Sequence, residues 1–151
     1  RRDRPAGREA DFSERKEISV KVFPSEQEIF DDFSPPGILC FQLLSRNGCE
    51  KIPEKMYTKW FDYDKIKNTL WLRTREAEDY FDMDSRGRRQ SLRRYFINEK
   101  VSLEIRDTVP VLAEGSHVLW IVGYRISEAY KVTKETGRVL EVQVYGGNIH
   151  E

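Results

Sequence analysis

Hydrophobic and polar positions alternate with a period of two in several stretches of the chain and with helical spacing in one. Ile18, Val20 and Val22 fall on one side and Glu17, Ser19 and Lys21 on the other, which predicts a half-buried strand near 17–23, stopped by Pro24. A second strand is predicted over 38–44, between the rigid Pro35-Pro36-Gly37 turn and the Asn47-Gly48 turn signal. Over 69–75, Leu70, Leu72 and Thr74 share one face and Trp71, Arg73 and Arg75 the other, so both arginines are expected on the face away from the core. Leu92, Tyr95 and Phe96 have i, i+3, i+4 spacing with Arg94 and Asn98 opposite them, which predicts a short amphipathic helix over about 90–99. A second helical turn after Ser102 would be limited by Pro110. The apolar run 118–122 is too short for a globular helix and reads as part of a strand near 118–123, buried on both faces. A last alternating strand is predicted over 138–145, before Gly146-Gly147. Several short strands around one or two short helices make an α+β domain dominated by sheet, with no internal repeat.

The length of 151 residues suits one main core, with 38% hydrophobic and 12% aromatic residues to fill it. Charged residues make up 34%, yet Lys plus Arg and Asp plus Glu are 26 each, so any attraction for nucleic acid has to be local. Cys40 and Cys49 are too few for a disulfide framework or a four-ligand zinc site, which suits a reducing cytoplasm. The run 118–122 falls far short of the ~20 residues that span a bilayer, so neither a membrane nor an export reading is favoured. Residues 1–16 carry many charges and few apolar side chains, as a flexible tail or a linker severed from something longer would.

Candidate chemistry is sparse. His117 and His150 have no partner at metal-ligand spacing, no serine sits in a nucleophile elbow, and no glycine-rich loop joins a strand to a helix. Asp62 and Asp64 would share one side of an extended segment, where acid–base work is conceivable and an ion-paired face is the plainer reading. Charge distribution says more. The run 76–84 holds Glu76, Glu78, Asp79, Asp82 and Asp84 with no base, and 86–94 holds Arg86, Arg88, Arg89, Arg93 and Arg94 with no acid. Planar guanidinium groups suit phosphate forks and base stacking, whereas the plain alternative is that the two blocks pair with each other.

Specific segments are similar to the C-terminal region of the tRNA(Ile)-lysidine synthetase family. These are Lys-Trp-Phe-Asp-Tyr-Asp-Lys at 59–65, Leu-Arg-Thr-Arg at 72–75, Leu-Arg-Arg-Tyr-Phe-Ile-Asn-Glu-Lys at 92–100, and Arg106-Asp107 with Pro110. Trp-Ile-Val-Gly-Tyr-Arg-Ile-Ser-Glu at 120–128 matches best, followed by Lys131-Val132-Thr133, Thr136 and Val139-Leu140. The chain departs from the family at Ala77-Glu78-Asp79, in place of Pro-Gly-Asp, at Gln90-Ser91, in place of a lysine pair, and at Val101-Ser102, in place of Ile-Pro.

The resemblance implies a β-rich small sandwich with one or two short helices, like the domain shared with the β-chain of phenylalanyl-tRNA synthetase. It divides the chain into the tail 1–16, a β-rich segment 17–56 of the same unit, a tRNA-binding domain 57–147 and a tail 148–151. It also implies a cytoplasmic parent enzyme that uses ATP, with magnesium, in an N-terminal PP-loop domain whose Ser-Gly-Gly-x-Asp-Ser motif is missing here. That enzyme adenylylates the wobble cytidine of an isoleucine tRNA, and lysine then displaces AMP to give lysidine. The implied partners of this part are tRNA, on its acceptor-stem side, and its own N-terminal catalytic domain, with a homodimer left open. No cofactor and no catalytic residue are expected within it. The expected tRNA contacts are Arg73, Arg75, Arg88, Arg89, Arg93 and Arg94 on one surface, extended by Arg125 and Lys131. The competing expectation is a structural docking or oligomerisation module that makes no direct RNA contact.

Overall fold

The structure, a computed structural model, describes residues 16–18, 25–29, 37–46 and 51–145. In chain order the strands are β1 (Lys16–Ile18), β2 (Ser25–Ile29), β3 (Gly37–Ser45), β4 (Thr58–Asp62), β5 (Leu70–Arg73), β6 (Tyr80–Asp82) and β7 (Arg89–Ser91). Two short helices follow, α1 (Leu92–Asn98) and α2 (Leu103–Arg106), and then β8 (Val111–Glu114), β9 (His117–Ile121), β10 (Arg125–Ile126) and β11 (Arg138–Tyr145). Single 3-10 turns occupy Tyr63–Lys65 and Glu128–Tyr130.

The strands form two sheets, ordered β1-β5-β8-β9-β6-β7, with β10 also on β9, and β2-β3-β11-β4. Every pairing between these strands is antiparallel except β6 with β9. The sheets share a core in which Phe41, Phe61, Leu140 and Val142 of the second meet Leu70, Leu72, Leu112 and Leu119 of the first. The opposite face of the first sheet, with Phe81, Val111, Ala113, Val118 and Ile121, is covered by Leu92, Tyr95 and Phe96 of α1. The first sheet is therefore buried on both faces, which is why β9 runs as unbroken apolar residues through 118–121.

The strands predicted over 38–44, 69–75, 118–123 and 138–145 correspond to β3, β5, β9 and β11. Of the strand predicted near 17–23, residues 19–23 lie outside the described residues. The predicted helix is α1 and starts at Leu92, because 89–91 is drawn into pairing with β6. Ser102 begins α2 by accepting the Ile105 N–H on its Oγ at 3.3 Å. Periodicity gave no warning of β2, β4, β6, β7, β8 or β10, each five residues or fewer.

The end of α1 shows how the helix is stopped without glycine. Lys100 N–H donates to Ile97 O and Val101 N–H to Phe96 O, both at 3.0 Å, the paired bonds of a Schellman turn. Val101 also packs against the cluster beneath α1. The cost falls on Lys100, which holds the left-handed φ of 59° that disfavours a Cβ by roughly 1–2 kcal/mol. Lys100→Gly should therefore stabilise the domain by about 0.5–1 kcal/mol after the greater freedom of unfolded glycine is subtracted. Equilibrium denaturation with an unchanged m value would check it.

Candidate nucleic-acid interface

The basic run 86–94 forms one continuous turn, edge strand and helix. Asp84 builds the turn: its Oδ1 accepts the N–H groups of Arg86 and Arg88 at 2.9 and 3.3 Å, while its Oδ2 accepts Arg88 Nε at 2.5 Å. The Arg88 hydrogen bond holds the Asp84 carboxyl below its ordinary pKa. Gly87, with φ +82°, lets the chain reverse so that Met83 N–H reaches Arg88 O at 2.7 Å. Ser91 then ends β7 and caps α1, its Oγ accepting the Arg94 N–H at 3.0 Å. With Leu92, Tyr95 and Phe96 turned inward, Arg93 and Arg94 stand exposed. Neither of them, nor exposed Arg86, forms an ion pair among the described residues.

Arg89 is arranged differently. Its guanidinium carbon lies 4.1 Å from the centroid of the Tyr80 ring, and its Nε is 3.7 Å from Asp82 Oδ1. Tyr80 in turn lies 4.6 Å, centroid to centroid, from His117, and His117 lies 4.9 Å from Tyr130. The inner end of this column is fixed by Tyr130, whose hydroxyl donates to Glu114 Oε1 at 2.6 Å. Burial, reinforced by that hydrogen bond, pushes the phenol's pKa far up.

His117 is held by Ser127. Ser127 Oγ accepts N–H groups from Asp82 at 3.0 Å and Ala129 at 3.3 Å, and it hydrogen-bonds His117 Nε2 at 3.1 Å. Burial depresses the imidazole's pKa, outweighing the Asp82 carboxylate 3.4 Å away.

The expectation that Arg73 lies on a solvent face has to be corrected. Arg73 does point away from Leu70 and Leu72, but that face is covered too, and the residue is 1% exposed. Its Nη1 and Nη2 meet Asp79 Oδ2 and Oδ1 at 2.8 and 2.9 Å, and they also donate to Thr74 O at 3.0 Å and Gly115 O at 2.9 Å. Arg73 is therefore separated from the arginines of 86–94. Arg75 is half-buried, 3.2 Å from Asp107 and over the Phe96 ring at 5.8 Å. Arg125 lies over Phe81 at 4.8 Å, and it flanks Glu128 together with Lys131, at 3.9 and 3.3 Å. The structure thus joins Arg88, Arg89, Arg93 and Arg94 in one segment, while Arg75, Arg125 and Lys131 each have an acidic neighbour elsewhere.

Sequence reasoning missed the roles of Asp79, Tyr80 and Glu128. Asp79 accepts from Arg73 and from Glu76 N–H at 2.7 Å, and its carbonyl accepts the Leu92 N–H at 3.1 Å, so the acid also holds the start of α1. Only the six-residue spacing of Arg73 and Asp79 could have signalled the pair. Asp62 and Asp64 are structural: Asp62 accepts from Thr136 Oγ1 at 2.8 Å and from Asp64 N–H at 3.1 Å, and Asp64 pairs with Arg138. Among the described residues no three His, Cys, Asp or Glu side chains converge as a metal site, and no helix is long and apolar enough to cross a membrane.

Residues 70–142 match the family described as the TilS substrate C-terminal domain. The chain is 44% identical over 88 residues to the tRNA(Ile)-lysidine synthase of Caldanaerobacter subterraneus subsp. tengcongensis, covering 58% of this chain and 19% of that protein. For the Clostridium tetani synthase the match is 36% over 96 residues, or 64% of this chain and 21% of that one. For the Parabacteroides distasonis synthase it is 30% over 133 residues, or 88% and 30%. The chain thus spans about a fifth to a third of the length of these relatives. A crystal structure of a TilS C-terminal domain shares the fold with a TM-score of 0.66, at 16% identity, over 89% of this chain and 100% of that one.

Two outcomes follow from the buried groups. Arg73→Ala or Asp79→Ala should each destabilise the domain by about 3–5 kcal/mol, because each strands a buried charge. The double variant should lose less than the sum of the two, as a double-mutant cycle in denaturant would show. For His117, the unfolded chain takes up a proton near the ordinary value of about 6.5 and the folded chain resists it. Stability should be level above that pH and fall as pH drops through it, and His117→Gln should remove that part of the slope.

Proposed function

We propose, proceeding from the fact that residues 70–142 belong to the TilS substrate C-terminal domain family, that this chain is the tRNA-binding C-terminal part of a tRNA(Ile)-lysidine synthase. On this reading the parent enzyme is cytoplasmic and performs its chemistry in an N-terminal part. There ATP, with magnesium, activates the wobble cytidine of an isoleucine tRNA, and lysine displaces AMP. The present chain is not catalytic and holds the tRNA on its acceptor-stem side.

The observation that carries this reading is the exposure of Arg86, Arg93 and Arg94, without acidic partners among the described residues, on a segment fixed by the Asp84 turn and the Ser91 cap. An A-form stem hides its base edges in a deep groove, so shape, phosphates and 2′-hydroxyls are what a protein can grip. Guanidinium groups on a rigid scaffold meet that need at little ordering cost. Arg88 is exposed and would exchange Asp84 for phosphate, and Arg89 adds its charge at the sheet edge. Arg75, Arg125 and Lys131 would extend the surface where their acidic neighbours yield, whereas Arg73 takes no part. A second reading, docking against the rest of the parent, has exposed Ile97, Leu103 and Ile105 in its favour.

Replacing Arg93 and Arg94 together by alanine should weaken binding to isoleucine tRNA across sequence variants. It should also flatten the dependence of log affinity on log salt by roughly one unit per lost contact. Unchanged affinity and slope in a folded variant would favour the docking reading.

A further inference from the structure

We infer that Arg89, at the sheet edge and close in sequence to the phosphate-binding arginines, is a stacking platform for an unpaired nucleobase; this rests on the tRNA-binding reading above. The guanidinium is held on two sides. Its inner side rests on Tyr80 at 4.1 Å, and its Nε edge is tethered toward Asp82 Oδ1 at 3.7 Å. The side chain is nevertheless 60% exposed, so the opposite face and the Nη edge are left to solvent. Beneath it, the His117 ring lies 4.6 Å from Tyr80 with the planes tilted by 35°, and Tyr130 meets His117 edge-on at 4.9 Å, with Ser127 and Glu114 in contact with the last two. A phosphate contact needs no such support, since a flexible arginine reaches an oxyanion from many angles. A planar cation ordered on a supported aromatic ring is instead a surface on which a splayed base is received in RNA recognition.

The platform lies on β7 at the edge of the first sheet, three residues before the start of α1, on which Arg93 and Arg94 stand. A duplex gripped by those arginines would present its unpaired bases within reach only where the stem ends. The acceptor stem of a tRNA ends in a single-stranded 3′ tail, and a base of that tail is the assigned ligand. Stacking tolerates any base, so the site would register the presence of a base and not its identity.

The test compares binding of this chain to two hairpin RNAs with the same stem and a four-nucleotide 3′ tail, one carrying bases and one abasic. The phosphate charge is equal in both. Wild type should prefer the tail with bases by about tenfold. Arg89→Ala should abolish that ratio, and Arg89→Lys, which keeps the charge and loses the plane, should abolish most of it. Arg93→Ala/Arg94→Ala should lower both affinities by the same factor and keep the ratio. Equal wild-type binding of the two tails, or an undiminished ratio in Arg89→Ala, overturns the platform while leaving tRNA binding standing. Absence of salt-dependent binding to either RNA overturns the tRNA-binding reading, and the platform with it.

Discussion

Arg73 and Asp79 meet fork to fork in an interior that is closed on both sides of the sheet. Two charges removed from water are tolerated only when every donor and lone pair is used. Here the two Nη groups reach both carboxylate oxygens and two backbone carbonyls, and Asp79 accepts one further backbone N–H. The pair therefore fastens β5 to the loop 74–79 and to the β8–β9 turn at Gly115. Through the Asp79 carbonyl it also receives the first N–H of α1. The orientation of the basic helix depends on this buried pair as much as on the apolar stripe that seats it.

The acidic run 76–84 and the basic run 86–94 do pair in part, and the partial pairing is informative. Asp84 takes Arg88 and Asp82 stands near Arg89, while Asp79 is spent on Arg73, outside the basic run. With Glu76 3.7 Å from Arg73 Nε, four acids thus serve one interior arginine and two of five surface ones. Arg86, Arg93 and Arg94 are left, on the side where the chain passes from turn to strand edge to helix. A neutral molecule acquires a local positive field in this way, with its acids used as scaffolding beside the cations.

Much of the architecture was legible in the sequence because the longer strands and α1 each bury one apolar stripe, as at 139–144 and at Leu92, Tyr95 and Phe96. The two-residue period failed at β5 for a physical reason. Alternation tells which side chains share a face, and it cannot tell whether that face meets solvent or a second layer. Trp71 and Arg73 point away from Leu70 and Leu72 as read, but α1 and the loop 74–79 cover that side. The three-residue strands β6 and β7 were invisible because a pairing that short has too few alternations to stand above chance. The cluster of Arg89, Tyr80, His117 and Tyr130 was equally hidden, since its four residues come from three strands and a 3-10 turn.

The departures from the family pattern become intelligible position by position. At 77–79, exposed Ala77 and Glu78 replace proline and glycine, while the aspartate stands where the interior needs an anion. At 90–91, glutamine and serine stand in place of two lysines, and each has a structural task. Gln90 lies opposite Phe81 on the covered side of β7, where an ammonium would have to be drawn back toward water. Ser91 accepts the Arg94 N–H, a bond no lysine side chain can make, because an ammonium offers no lone pair. Loss of two charges at the junction is thus coupled to a firmer helix start, and the remaining cations sit on either side of it, at 88–89 and 93–94. A cap that fixes α1 also fixes the direction in which Arg93 and Arg94 project. Two ordered guanidinium groups lose less freedom on meeting a phosphate track than two mobile ammonium groups would, so the exchange need not weaken the surface it alters.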